Sequence, residues 1–135
     1  MPSTEDELTA SCNEIQQLDD SVRFVGIANN MGSLIATAYR KGLNPLMNEY
    51  ETSHYAIQVV LRAATREDFE SKIGRLEYSI GKYERIIRAT VPIRFGSTYE
   101  AKYYLLISFD LKSAVIDIIE DKLIPFLERK KHNLV

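Results

Sequence analysis

The stretch "AKYYLLISFD", residues 101 to 110, narrows the folds open to this chain more than any other. Tyr103, Tyr104, Leu105, Leu106, Ile107 and Phe109 make it apolar at odd and even positions alike. Successive side chains of a strand point to opposite faces, so this segment is greasy on both. A strand of that kind is covered on both sides, in the middle of a layered sheet. "VRFVGIA", from residue 22, also carries apolar residues to both faces through Val22, Phe24, Val25 and Ile27, and belongs beside it.

The other strand candidates are one-sided or interrupted. "RLEYSIG", residues 75 to 81, puts Leu76, Tyr78 and Ile80 on one side and Glu77 and Ser79 on the other, so it lies nearer an edge. "RIIRATVPI" lines up Ile87, Ala89, Val91 and Ile93, while Pro92 has no N–H to donate and should lose a partner there. "LIATAYR" returns from the first strand through "NNMGS", where Asn30 and Gly32 tolerate left-handed backbone. Gly26 and Ala28 are small, which suits a strand crossed closely by a helix. Direct hairpin returns make the sheet antiparallel.

Three segments read as helices. In residues 4 to 18, Leu8, Cys12, Ile15 and Leu18 recur at helical spacing behind Thr4, a candidate cap. Residues 49 to 73 follow Asn48, with Glu51 at the capping-box position; "TRED" at 65 repeats that signal, so one helix or two joined near Thr65 are both allowed. Residues 112 to 131 follow Asp110 and Ser113 as candidate caps and bury Val115, Ile118, Ile119, Leu123, Phe126 and Leu127, with Pro125 bending the helix. The order is α-β-β-α-β-β-β-α. It predicts an α+β fold, a central five-stranded antiparallel sheet with helices on both faces. No linker-like or repetitive segment interrupts residues 1–135, so one domain is the economical reading.

The middle helix carries more apolar surface than one sheet can use. At ~100° per residue, Ala56, Ile57, Val59, Val60, Leu61, Ala63 and Ala64 fill an arc of roughly 200°, against the ~100° a helix needs to rest on a sheet. The surplus flank implies a second burying surface, either a neighbouring helix of this chain or a second copy.

Chemistry is harder to find. The net charge of -2 gives no reason to expect nucleic acid. Glu5, Asp6, Glu7, Glu14, Asp19 and Asp20 make the first residues acidic, and "ERKKHNLV" ends the chain basic; they read as a solvated helix start and a frayed terminus. Cys12 is the only cysteine, which rules out an intrachain disulfide and a cysteine metal cluster and fits a reducing compartment. No apolar run approaches the ~20 residues of a membrane span, and "MPSTEDELTA" lacks a signal peptide's regions, so no membrane partner and a cytoplasmic location are expected. His54 and His132 have no metal-ligand spacing, and no phosphate-binding glycine loop occurs. Ser53 and His54 share a helix and point about 100° apart. No enzyme, metal or cofactor is expected. Glu67, Asp68 and Glu70, interspersed with Arg66 and Lys72, read as a solvated helix face. Arg85, Arg88 and Arg94, with Tyr83 and Tyr99, are the candidates for a basic aromatic patch toward RNA or another anion.

The opening helix, the hairpin "DDSVRFVGIANNMGSLIATAY", the long central helix, "RLEYSIGKY", "RIIRATVPI", "AKYYLLISF" and the closing helix together resemble the roadblock/LC7 family, within the broader profilin-like folds. The likeness spans nearly the whole chain but is one of pattern, with no diagnostic motif. "DDSVRFVGIANNMGSLIA" and "ATREDFESKIGRLEYS" also resemble small archaeal proteins of uncharacterised role, which adds no function. The roadblock resemblance implies a non-enzymatic scaffold that dimerises through its third strand and central helix, several members regulating Ras-like small GTPases. Carried onto this chain, it implies an interface of Ile57, Val60, Leu61 and Ala64 on the helix with Leu76, Tyr78 and Ile80 on the strand. The chain departs from the family in its long central helix and in having no recognisable GTPase-contact motif. Profilin-like folds also include small-molecule sensors of the PAS kind. Tyr78, Tyr103 and Tyr104 are the candidates to line such a pocket.

Overall fold

The computed structural model describes residues 4–94 and 101–130. Its order is α1 (Thr4–Gln16), β1 (Val22–Asn29), β2 (Leu34–Tyr39), α2 (Glu49–Arg66), a 3-10 turn (Glu67–Phe69), α3 (Glu70–Ile73), β3 (Ser79–Lys82), β4 (Ile87–Ile93), β5 (Tyr103–Phe109), α4 (Val115–Ile118), a π turn (Ile119–Leu123) and α5 (Ile124–Lys130). The five strands form one sheet in the order β2-β1-β5-β4-β3, antiparallel throughout. The doubly apolar β5 lies between β1 and β4, as its sequence requires.

Each sheet face has its own core. On one face, Leu8, Cys12 and Ile15 of α1 and Val115, Ile118, Ile119, Leu123 and Phe126 of the closing helix pack on Val25, Ile27, Leu105, Ile107 and Phe109. On the other, Ala56, Val59, Val60 and Ala63 of α2 pack on Ala28, Tyr104 and Leu106. The small residues on both sides let α2 approach closely. Gly26 has a different reason to be small: a Cβ there would lie 2.8 Å from Phe24 Cζ, so the Phe24 ring, not a helix, occupies its space.

Local signals act as their chemistry dictates in some places and not in others. Asn48 and Glu51 close a reciprocal capping box (Glu51 N–H to Asn48 Oδ1 2.8 Å, Asn48 N–H to Glu51 Oε1 3.1 Å). The second signal, near Thr65, marks where α2 gives way to the 3-10 turn and α3. In the β1–β2 turn only Gly32 is left-handed, at φ 85°; Asn30 is not. Asp110 and Ser113 do not cap the closing helix. Asp110 is held by Arg23 (3.1 Å) and Arg40 (2.7 Å), Ser113 donates to the Asp110 carbonyl, and the helix starts at Val115 without a side-chain cap. Pro125 is accommodated one residue earlier, where the Ile124 N–H reaches back five residues to the Ile119 carbonyl in a widened turn.

β3 is shorter than its alternation suggests. Residues 74–78 approach it as irregular chain, because the backbone of Leu76 is already engaged: its N–H donates to Glu70 Oε2 (2.7 Å) and its carbonyl accepts from Arg94 Nη1 (3.0 Å). Pro92 fits this arrangement. Thr90 pairs with Ser79 and Arg88 with Gly81, and β3 ends before Pro92, so the missing donor falls where no strand remains to receive it.

Candidate interaction surface

α2 divides its apolar residues between two faces. Val60 is 8% exposed and belongs to the core beneath the helix. Ile57, Leu61 and Ala64 are outside; Ile57 is 46% and Leu61 65% exposed. Tyr50 and His54, one above the other and stacked at 6.5 Å, extend the row toward the start of the helix. The exposed positions 50, 54, 57, 61 and 64 alternate steps of four and three, the spacing of a helix seam that faces another helix.

The seam leans toward the β1–β2 hairpin. A Cβ on Gly32, in that turn, would lie 3.0 Å from the Ile57 Cα. The opposite flank of α2 faces β3 and β4 and is polar. Tyr55, Val59, Arg62 and Arg66 form one wall of a groove of about 210 Å³, and Ser79, Ile80, Gly81, Tyr83, Arg88 and Thr90 form the other. Arg88 lies 3.9 Å over the Tyr55 ring and 5.4 Å from that of Tyr83, and donates to Met47 Sδ at 3.0 Å. Burial pushes the Tyr55 phenol above its ordinary pKa, with the Arg88 charge acting the other way.

β3 offers a second surface. Among the described residues it pairs with β4 alone. The Tyr83 N–H bonds to the Ile86 carbonyl, and the antiparallel alternation then turns the backbone groups of Ile80 and Lys82 to the open edge. Ile80 is 39% exposed there. Tyr78 is not part of that edge: it packs on the core under the closing helix, and its hydroxyl donates to Glu120 Oε1 at 2.6 Å. Leu76 is half-buried in the loop that Glu70 and Arg94 hold. Of the residues the resemblance implies, Ile57, Leu61 and Ala64 therefore form one row and Ile80 another surface, with the arginine-lined groove between them. Arg62 and Arg66 carry little local sign of a site role. Their spacing, four apart on a flank away from the apolar stripe, is the one local signal.

The three tyrosines proposed as a pocket lining do not share one. Tyr103 packs on the α1 side and Tyr104 on the α2 side. A separate apolar cavity of about 50 Å³ lies under residues 43–47, against Phe24, Tyr39, Tyr55 and Leu106. It is far smaller than the roughly 300 Å³ at which small-molecule sites begin. The basic aromatic patch comes together only in part: Arg88 keeps Tyr83 beside it at 5.4 Å. Arg94 is engaged in a near-buried pair with Glu70 (2.8 Å), while Arg88 faces α2. Tyr99 and His132 lie outside the described residues. Among the described residues, no three His, Cys, Asp or Glu side chains gather as metal ligands, and no helix is long and apolar enough to cross a membrane.

No protein-family model matches the sequence, and no curated protein matches it. Solved structures do. The gliding protein MglB from Thermus thermophilus superposes with a TM-score of 0.71 at 13% identity, over 99% of this chain and 90% of that one. A structure of MglB with a tetrameric arrangement reaches 0.74 at 13% identity, over 100% and 95%. A roadblock/LC7 domain from Streptomyces avermitilis gives 0.69 at 7% identity, over 93% and 96%. The fold is that of a roadblock/LC7 domain. In the order of elements α2 is the central helix and β3 the third strand.

Proposed function

We propose that this chain is a one-domain, non-catalytic regulatory module of the cytoplasm that acts by protein contact, first with a second copy of itself and then with a Ras-like small GTPase. The exposed four-three row on α2 carries the reading. Leu61 and Ile57 are large apolar side chains left to solvent on a regular helix, and a two-fold axis would bring the row against itself. Such an isologous contact removes the surplus flank from water in both copies at once.

The β3 edge is a distinct attachment point, suited to strand addition through Ile80 and Lys82. Lys82 on that strand limits promiscuous pairing. A tetrameric arrangement, as described for one structure of this fold, needs more than one contact surface per chain. The row on α2 and the edge of β3 supply two.

Cross-linking tests the homodimer. A Leu61→Cys variant should form a disulfide-linked dimer on mild oxidation, since Cys12 is buried and competes poorly. The reading fails if the protein sediments as a monomer at its highest soluble concentration and no cross-link forms. The second step is tested by capture from native cell extract, with a Ras-like GTPase expected among the bound proteins and its absence counting against that partner.

A further inference from the structure

The groove between α2 and β3 has a charge problem that the described residues do not solve. Arg62 and Arg66 come from α2 and Arg88 from β4, and among the described residues no carboxylate lines the groove with them. Glu70, four residues beyond Arg66, is committed to Arg94 at 2.8 Å. Arg62 and Arg66 stand four apart on one helix, an arrangement of like charges that weakens it. Arg88 is held against the Tyr55 ring at 3.9 Å, with a thioether as its hydrogen-bond acceptor. Ring face and sulfur satisfy a guanidinium weakly and leave most of its N–H fork available. The hydroxyls of Ser79, Thr90, Tyr55 and Tyr83 stand around the same space.

We propose that this groove binds the phosphoryl group of a small phosphorylated molecule, with Arg62, Arg66 and Arg88 as the anion contacts and the Ser79 and Thr90 hydroxyls as further donors. Guanidinium forks match phosphate oxygens geometrically and in charge. Stacking on Tyr55 presets Arg88, which lowers the ordering cost of binding. At about 210 Å³ the groove takes a phosphoryl group and a few further atoms, not a whole nucleotide. Every contact named comes from one chain.

The test is a titration of the full chain with inorganic phosphate, and separately with glycerol phosphate, at ionic strength held constant with chloride, followed by amide and guanidinium NMR signals. Saturable shifts confined to Ser79, Gly81, Thr90 and the three arginines are expected. The Arg62→Gln/Arg66→Gln variant should weaken binding about tenfold or more. Both residues are exposed, so the variant should fold, and an unchanged spectrum away from the groove checks this. Arg129→Gln, on the closing helix, should leave binding unchanged. Shifts that chloride reproduces, shifts spread over the surface, or binding that survives the double variant would each overturn the proposal. So would a tenfold preference for a phosphoserine peptide over glycerol phosphate, which would make the ligand a protein.

Discussion

Replacing Leu61 by aspartate separates the fold from the contact built on it. Leu61 is 65% exposed in the single chain, so its removal costs the monomer little. In a two-fold contact the exposed part is buried twice. Full burial of a leucine side chain is worth about 1.5–3 kcal/mol, so the exposed 65% is worth about 1–2 kcal/mol per copy and about 2–4 kcal/mol per dimer. That loss alone raises the dimer dissociation constant about 30- to 700-fold. Two carboxylates facing each other near the axis add to it. Sedimentation equilibrium over a concentration series gives the constant for both proteins, and thermal melts at a concentration where both are monomeric give the fold stability. The expected result is a monomeric variant with an unchanged melt. A dissociation constant within about threefold of the parent would refute the assignment of the α2 row. An equal loss of monomer stability would show that Leu61 is a core residue after all.

Arg94→Met should be the costliest single change outside the cores. It strands the Glu70 carboxylate at 10% side-chain exposure and frees the Leu76 carbonyl, so about 3–5 kcal/mol of stability should be lost in urea unfolding; a loss below about 1 kcal/mol would mean the clamp on β3 is slack. Asp19 is held at about 2 by the Lys122 ammonium and by the Ser21 hydroxyl and N–H. Its folded value lies below its unfolded one, so its contribution is complete above about pH 4 and is lost as pH falls toward about 2; Lys122→Met should move the Asp19 titration upward by NMR, and an unmoved titration would rule out that ion pair. Burial pushes the Cys12 thiol up to about 12, so alkylation at pH 8 should require opening of the fold, and fast labelling of native protein would contradict its packing. Gly32→Ala combines a φ of 85° with a Cβ 3.0 Å from the Ile57 Cα and should cost about 1–3 kcal/mol, read from thermal melts; a neutral change would mean the hairpin turn does not rest on α2.

Much of the architecture is written in local pattern. The unbroken apolar run of β5 requires cover on two faces, and the structure provides α2 on one and α1 with the closing helix on the other. Asn48 and Glu51 announce the start of α2 at the residue where it begins. Where local reading fell short, a distant group had claimed the chain. Asp110 looks like a helix cap until Arg23 and Arg40 arrive from β1 and the end of β2. Leu76 looks like a strand residue until Glu70 and Arg94 take both its backbone groups.

By itself the sequence determined the order of elements, the antiparallel sheet, the central place of β5 and the excess apolar width of α2, because periodicity and chain reversal are properties of neighbouring residues. Only the tertiary structure decided how that width divides. It buries Val60 under the helix, leaves Ile57 and Leu61 outside, and turns Tyr78 away from the edge on which Ile80 stands. It also gathered Arg62, Arg66 and Arg88 around one groove. Arg88 is far along the chain from the other two, and the three charges become a site only when the sheet brings β4 alongside α2.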